Sequence, residues 1–378
     1  MKKQNDRQRL MMIALHETPG IGWHTIRKIA VSGKWSLLPD FGIEAWRQLG
    51  LSAEQAKAAA LAVKELDVCA ERIQRRQLAG EVHIVTRYDD SYPELLKHIP
   101  QPPWVLYAIG RRELLSGIAI SIVGTRGPTS YGRRIALELA EGLSNRLLTV
   151  VSGMARGIDS VAHEGALRGS GSTIAVLGTP VEHIYPPENR SLYHSIRDQG
   201  LLLSETAPGT KLHPGLFPLR NRIIAGLSIG TVVVEAQARS GSLITAEQAQ
   251  DMNREVFAVP GPVYSPKSDG TNALIRGHGA KLVSGPEHII EEFHWLSALL
   301  KDFGQKQVRQ PGDNGKKTPA PLTAEEAVIY HLLAEQARTI DELVELSELP
   351  FGLLHSVLIN LTIKRMITQH PGSLYSVI

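Results

Sequence analysis

The sequence predicts an α/β protein: a parallel sheet flanked by a small N-terminal helical domain and a C-terminal winged-helix-like domain. Three observations predict it. Seven short β-branched runs recur between residues 71 and 300, separated by helical segments and glycine turns. The runs are continuously apolar rather than alternating, which marks strands buried on both faces beneath helices. At 378 residues the chain is also long enough for two or three domains and a sizeable core.

Taken in order, residues 1–70 read as helices. LMMIALHETPGIGWHTIRKIA is followed by AEQAKAAALAVKEL, whose Ala and Leu content favours helix. Residues 71–300 carry the runs HIVT, IAISIVG, LLTVVSG, STIAVLG, LLLSE, GTVVVEA and EVFAVPG. Residues 301–322, KDFGQKQVRQPGDNGKKTPAPL, hold three Pro, three Gly and five Lys/Arg against two Asp, the composition of a linker. From Thr323 to Ile378, three amphipathic segments end in MITQHPGSLYSVI, a strand–turn–strand pattern around Pro371-Gly372 that suits a winged helix.

Composition narrows the function classes. Hydrophobic residues make up 43% and charged ones 21%, ordinary values for a globular protein. One cysteine, Cys69, excludes a disulfide framework and a CxxC zinc site, and suits a reducing cytoplasm. Neither a secretion signal nor an apolar run of membrane-spanning length is expected. The net charge of +3 decides nothing about nucleic acid by itself.

The motifs sit at strand ends. SIVGTRGPTSYG (Ser121–Gly132) is a strand emptying into a glycine turn before a helix, the shape of a phosphate cradle. It lacks the GxGxxG spacing and the acidic residue about 20 positions on that a dinucleotide site needs. No GxxxxGK[ST] is present either, so no nucleotide cofactor is expected. A second turn, SGMARGID (Ser152–Asp159), ends the next strand. FPLRNRIIAGLS then sets Arg220, Asn221 and Arg222 near Phe217, and ARSGSLITAEQA places Ser240, Gly241, Ser242 and Thr245 at a helix start. In an open parallel sheet ligands collect beyond the carboxyl ends of the strands, where amides, helix N-termini and hydroxyls suit anions. Each motif has a plainer reading: a tight turn for the glycines, an internal ion pair for RNR, a helix cap for SGSLIT. Four such loops together describe an extended anion-binding surface.

GTRGPTSYG, SGMARGIDSVAH, YPPEN, LLSE, FPLRNRIIAGLS, EAQARSGSLITAEQA and VFAVPG, in this order from about Tyr88 to Val283, resemble the DNA-processing protein A family, also called DprA or Smf. The resemblance implies an extended Rossmann-like fold that binds single-stranded DNA with little sequence preference. It also implies protection of incoming strands in natural transformation, loading of the RecA recombinase, and a homodimer. DNA phosphates would meet Gly124, Thr125 and Arg126, then Ser152, Gly153 and Gly157. Phe217, Arg220, Asn221 and Arg222, with Ser240, Gly241, Ser242 and Thr245, would complete the groove. Phe217 would stack on a base, and the arginines would hold phosphates in bidentate fashion. Two departures stand out. Pro180 lies where a glycine is usual, and Pro214 lies where many members carry a lysine; Lys211 is the nearest substitute.

The flanks say less. Residues 1–70 hold ten Lys/Arg against seven acidic residues, and ETPGIGWHTIRKI resembles a helix–hairpin–helix turn, so a SAM/helix-hairpin-helix-like module is expected there. Residues 323–378 hold three Lys/Arg against seven Asp/Glu, which suits protein contacts better than phosphates. Catalysis is not expected. Asp159 and His163 lie four apart and read as a helix cap with a packed imidazole, without a third metal ligand. The alternative is a nucleoside-monophosphate phosphoribohydrolase of the lysine-decarboxylase-like Rossmann group, resting on Glu205, Glu235 or Glu247. A ligand-free interaction scaffold would leave the four anion loops as coincidence.

Overall fold

A computed structural model describes residues 2–78, 82–296, 322–347, 349–364, 366–370 and 374–377. The chain forms two compact units, residues 1–288 and 289–378. The first begins with five helices, α1 (Lys2–His16), α2 (Trp23–Val31), α3 (Ile43–Gln48), α4 (Ala53–Lys64) and α5 (Leu66–Leu78). Ser52 and Gln55 start α4 with a reciprocal capping box, and Ala56, Ala59, Ala60 and Val63 form its buried stripe. These helices share one hydrophobic cluster with a face of the sheet, where Met12, Leu15 and Ile26 join Val105, Tyr107 and Leu202.

The sheet has nine strands: β1 (His83–Thr86), β2 (Val105–Gly110), β3 (Ala119–Val123), β4 (Thr149–Ser152), β5 (Thr173–Leu177), β6 (Leu201–Ser204), β7 (Gly230–Val233), β8 (Glu255–Ala258) and β9 (Lys281–Leu282). Their order is β1-β2-β6-β5-β4-β3-β7-β8-β9. From β6 to β9 every neighbouring pair is parallel, whereas β2 pairs antiparallel with β6 and β1 with β2. The sheet is therefore mixed, with the expected parallel arrangement in its larger part. Strand β2 shows why the sequence did not disclose this. Val105, Tyr107 and Ile109 face one cluster while Leu106 and Ala108 face the other, so VLYAIG is apolar throughout, as a parallel strand would be. Neither VLYAIG nor the two-residue edge strand β9 was among the seven expected runs.

The chain leaves β3 towards β4, β5 and β6, then returns to place β7 on the other side of β3. This reversal opens a crevice beyond the carboxyl ends of β3 and β7. The helices that reach it are α7 (Ser130–Ser144), α8 (Ile158–Ala166), α10 (Leu216–Leu227) and α11 (Gly241–Asp251); α6 (Glu94–Lys97) and α9 (Arg190–Gln199) lie elsewhere in this unit.

In the second unit, helices Ala324–Glu335, Ile340–Ser347 and Phe351–Ile363 pack with a three-stranded antiparallel sheet of order β10 (Arg338–Thr339), β12 (Leu374–Val377), β11 (Ile367–His370). Ile329, Leu343, Leu354, Leu358 and Tyr375 make its core. Thr323 caps the first helix, and buried Glu326 pairs with Lys364. This is the winged-helix-like arrangement expected. The turn at Pro371-Gly372 and, apart from Leu322, the linker 301–322 lie outside the described residues.

Candidate nucleic-acid interface

The turn after β3 is built by packing as much as by any ligand. A Cβ on Gly124 would lie 2.7 Å from Ile158 Cγ1. Gly157 has φ +84°, and its Cβ would lie 2.7 Å from the Arg126 carbonyl carbon. Both glycines thus let the turns after β3 and β4 lie against each other. The start of α7 is already served from within. Thr129 Oγ1 accepts from Gly132 N (3.1 Å), while the buried Glu235 carboxylate accepts from Thr129 N (2.9 Å) and Thr129 Oγ1 (2.5 Å). A carboxylate of the chain occupies the positive helix end where the sequence suggested an open phosphate cradle. Arg126 is different. It is exposed, and its guanidinium has no partner among the described residues.

The turn after β4 likewise directs its polar groups inward. Ser152 Oγ donates to Ile122 O (2.6 Å), Gly153 N and Ala155 N donate to Asp159 Oδ2 (3.2 and 3.3 Å), and Met154 N donates to His163 Nε2 (3.3 Å). Thr173 Oγ1 donates to Val150 O, so His163 Nδ1 carries the proton it gives to Thr173 Oγ1 at 2.7 Å. Burial, assisted by the Arg220 charge, lowers the His163 pKa to about 3. Burial raises that of Asp159, against the opposing field of Arg220. His163 is a packed neutral imidazole, as the spacing suggested, but Asp159 is not the helix cap. Gly157 holds that position without a side-chain bond, and Asp159, in the first turn of α8, ties down the loop that precedes it.

Helix α10 brings the cations. Arg220 is 8% exposed; one Nη1–H donates to Val176 O (2.6 Å), and its Nε has no partner. Burial lowers its pKa to about 10, Asp159 opposes the shift and Arg126 adds to it, so Arg220 stays charged at neutral pH. A Cβ on Gly153 would fall within this guanidinium, which explains that glycine. Arg222 faces elsewhere. Its Nη2 donates to both oxygens of Glu205 (2.7 Å each), its Nε to Gln101 O and its Nη1 to Leu219 O. The internal ion pair is what RNR supplies at Arg222.

A cavity of about 480 Å³ gathers the rest. Gly124, Thr125 and Arg126 line it with Phe217, Arg220 and Asn221, and with Ser240, Gly241, Ser242 and Thr245 at the start of α11. Ser240 caps α11 through Ser242 N (3.3 Å), and a Cβ on Gly241 would meet nothing within 4 Å, so this helix end opens into the cavity. A neighbouring cavity of about 380 Å³ adds Gly153 and shares Arg126, Phe217 and Arg220. Ser152, Gly157, Lys211 and Arg222 line neither.

Some lining residues were not singled out from the sequence. Tyr185 borders both cavities and packs on Phe217, ring centroids 5.2 Å apart at 41°. Its sequence signal is the YPPEN motif, in which Tyr185 supplies the ring. Gln237 also lines the larger cavity, as does Asp159, which the sequence suggested only as a helix cap. Glu205, Glu235 and Glu247 do not, which leaves the hydrolase alternative without its carboxylates at the site. Among the described residues no group of three or more His, Cys, Asp or Glu could hold a metal ion, and no helix is long and apolar enough to cross a membrane.

Comparisons with known proteins agree on one family. Residues 83–294 match the model described as DNA recombination-mediator protein A, and residues 315–373 match the DprA winged helix domain. Protein Smf of Synechocystis is 39% identical over 321 residues, covering 77% of this chain and 79% of that protein. The DNA processing protein DprA of Bacillus subtilis is 40% identical over 262 residues, covering 68% and 88%. The crystal structure of Streptococcus pneumoniae DNA processing protein A superposes with a TM-score of 0.66 at 33% identity, covering 75% of this chain and 98% of that one. A structure of the Helicobacter pylori protein, described in terms of its single-stranded DNA binding mode, gives 0.52 at 30% identity, covering 58% and 96%.

Proposed function

Since the chain belongs to the DNA recombination-mediator protein A family, DprA or Smf, we propose that it binds single-stranded DNA at the carboxyl ends of β3, β4 and β7. One observation carries the reading: an exposed, unpartnered Arg126 and a buried, incompletely partnered Arg220 border the same two cavities. Phosphates meet these two guanidiniums and the open end of α11, and the Tyr185–Phe217 pair offers faces on which bases stack. Asn221, Ser240, Gly241, Ser242 and Thr245 add neutral hydrogen-bonding groups. Such contacts read backbone rather than base edges, so this surface by itself carries little sequence information. Ser152, Gly153, Gly157 and Gly124 act here by shaping the loops, and Lys211 contributes charge from outside the cavities, whereas Arg222 is neutralised by Glu205 and serves the fold.

Within this reading the protein is cytoplasmic and dimeric, protects strands entering by natural transformation, and helps load RecA. Its modules divide as 1–70, 71–300, the linker 301–322 and the acidic 323–378, which serves protein contacts. The test is a gel shift with oligo-dT across a salt series, without nucleotide or metal. The wild type shifts the strand with strong salt sensitivity. Arg126→Ala weakens binding of all sequences alike, by about tenfold, and reduces the salt slope by about one. Absence of a shift at low salt, or hydrolysis of AMP at an enzymatic rate, would contradict the reading.

A further inference from the structure

A separate cavity of about 300 Å³ takes its wall from another face of α10. Phe217, Asn221 and Ile224 border the cavity proposed above for phosphates, whereas Leu216, Leu219 and Ile223 border this one, with Arg220 common to both. Its size is at the lower end of ligand cavities, roughly 300–1,000 Å³.

The opposite wall is aromatic. The indoles of Trp23 and Trp104 lie 5.9 Å apart at 32°. Both are fixed by backbone carbonyls: Trp23 Nε1–H donates to Pro102 O (2.7 Å) and Trp104 Nε1–H to Trp23 O (3.2 Å). Their polar edges are engaged, and a guanidinium stands over each ring, Arg27 over Trp23 (5.6 Å) and Arg87 over Trp104 (5.3 Å). The half-buried Trp23, more than the buried Trp104, therefore supplies flat apolar surface.

Of the other polar residues that line the cavity, Thr206, Thr210 and Arg222 are engaged by Gly178 O, Ala207 O and Glu205, which leaves His16, Gln101 and Glu205 to consider. Neither the Gln101 amide nor the His16 ring nitrogens have a hydrogen-bond partner among the described residues. Burial lowers the His16 pKa to about 4, so the imidazole is neutral and offers one donor and one acceptor. The Glu205 carboxylate is held by Arg222 through both oxygens and retains lone pairs for a further donor.

We propose that this cavity is a nucleobase site selective for bases with an exocyclic amino group. Flat indole walls suit a planar heterocycle. A primary amide pairs with adjacent donor and acceptor atoms, as glutamine does on adenine, and a fixed carboxylate accepts from an amino group. Thymine presents carbonyl oxygens and no amino group, so against Glu205 it leaves buried acceptors facing each other. The base comes either from a bound strand, in which case the site rests on the proposed single-strand binding, or from a free nucleoside or nucleotide.

The full chain is titrated with deoxyadenosine and thymidine, which carry no phosphate, and with oligo-dA and oligo-dT of equal length. Tryptophan emission and gel shift are the readouts. Ala207→Phe fills the cavity from its rim, and Gln101→Ala removes the amide with little change in packing. The expected result is oligo-dA binding about tenfold tighter than oligo-dT with saturable tryptophan quenching, and loss of that difference in both variants while oligo-dT binding is kept. Quenching by deoxyadenosine alone, lost in Ala207→Phe, supports the site with a free ligand as its source. Quenching by oligo-dA only supports it with the strand as its source. Equal binding of the two oligonucleotides, with no nucleoside quenching, overturns the base site and leaves single-strand binding standing. Deoxyadenosine quenching without any oligonucleotide binding keeps the site and overturns single-strand binding.

Discussion

Arg220 is a cation kept where cations are disfavoured. Burial lowers its pKa to about 10, Asp159 only partly offsets this, and its Nε finds no acceptor. In the proposed function a bound phosphate would supply the missing anion, because the electrostatics of the free site favour anion binding. Arg222, two residues on, has the same side chain and the opposite fate, because Glu205 and two carbonyls already engage it. Gly153 tests the Arg220 argument. In Gly153→Ala the added methyl displaces the guanidinium. We expect single-strand affinity, measured by anisotropy, to fall about tenfold, the scale of one charge-assisted hydrogen bond. Thermal stability should change far less than affinity. Unchanged affinity would remove Arg220 from the phosphate path.

Elements explain why the glycine turns look like cradles. The turn after β3 and the turn after β4 are folded against one another, and Gly157 sits at φ +84° with the Arg126 backbone beside it. Gly157→Ala is expected to destabilise the protein by about 2 kcal/mol or more, read as a lower urea midpoint, since both the left-handed backbone and the contact oppose a Cβ. At the start of α7, Thr129 both caps the helix and donates to Glu235. Thr129→Ala should cost about 1–2 kcal/mol in the same measurement. No loss of stability would mean that Glu235 and its turn find other partners.

For the whole molecule, the consequence of these buried groups is a dependence of stability on pH. His163 and His16 are held neutral when folded, with pKa values near 3 and 4, but titrate at 6.5 when exposed. Below pH 6.5 the unfolded chain therefore binds protons that the native chain does not, and stability falls as pH falls. Each histidine contributes a slope of about 1.4 kcal/mol per pH unit until its folded pKa is reached. Urea midpoints between pH 7 and 5 should drop accordingly. His163→Gln should show a shallower decline than wild type, and equal slopes would mean that the imidazole is not the group responsible.

The sequence by itself determined the α/β class, the winged-helix-like end, the family, and the order of the strand-end loops. Apolar runs, caps and glycine turns are local features, and each reports the environment of its own residues. It also pointed to Arg126 and to Phe217, which line the larger of the two cavities at the strand ends. Only the tertiary structure decided which groups remain available to a ligand. The amides of Gly153, Met154 and Ala155 are claimed by Asp159 and His163, and the α7 start by Glu235, more than a hundred residues away. The antiparallel pairing of β2, the Glu205–Arg222 pair and the aromatic wall of Trp23 and Trp104 are equally non-local. The physical reason is common to all of them. A donor, a carboxylate or a ring is free or engaged according to what packs against it, whether that partner lies on the next helix, as Asp159 and His163 do, or more than a hundred residues away, as Glu235 does.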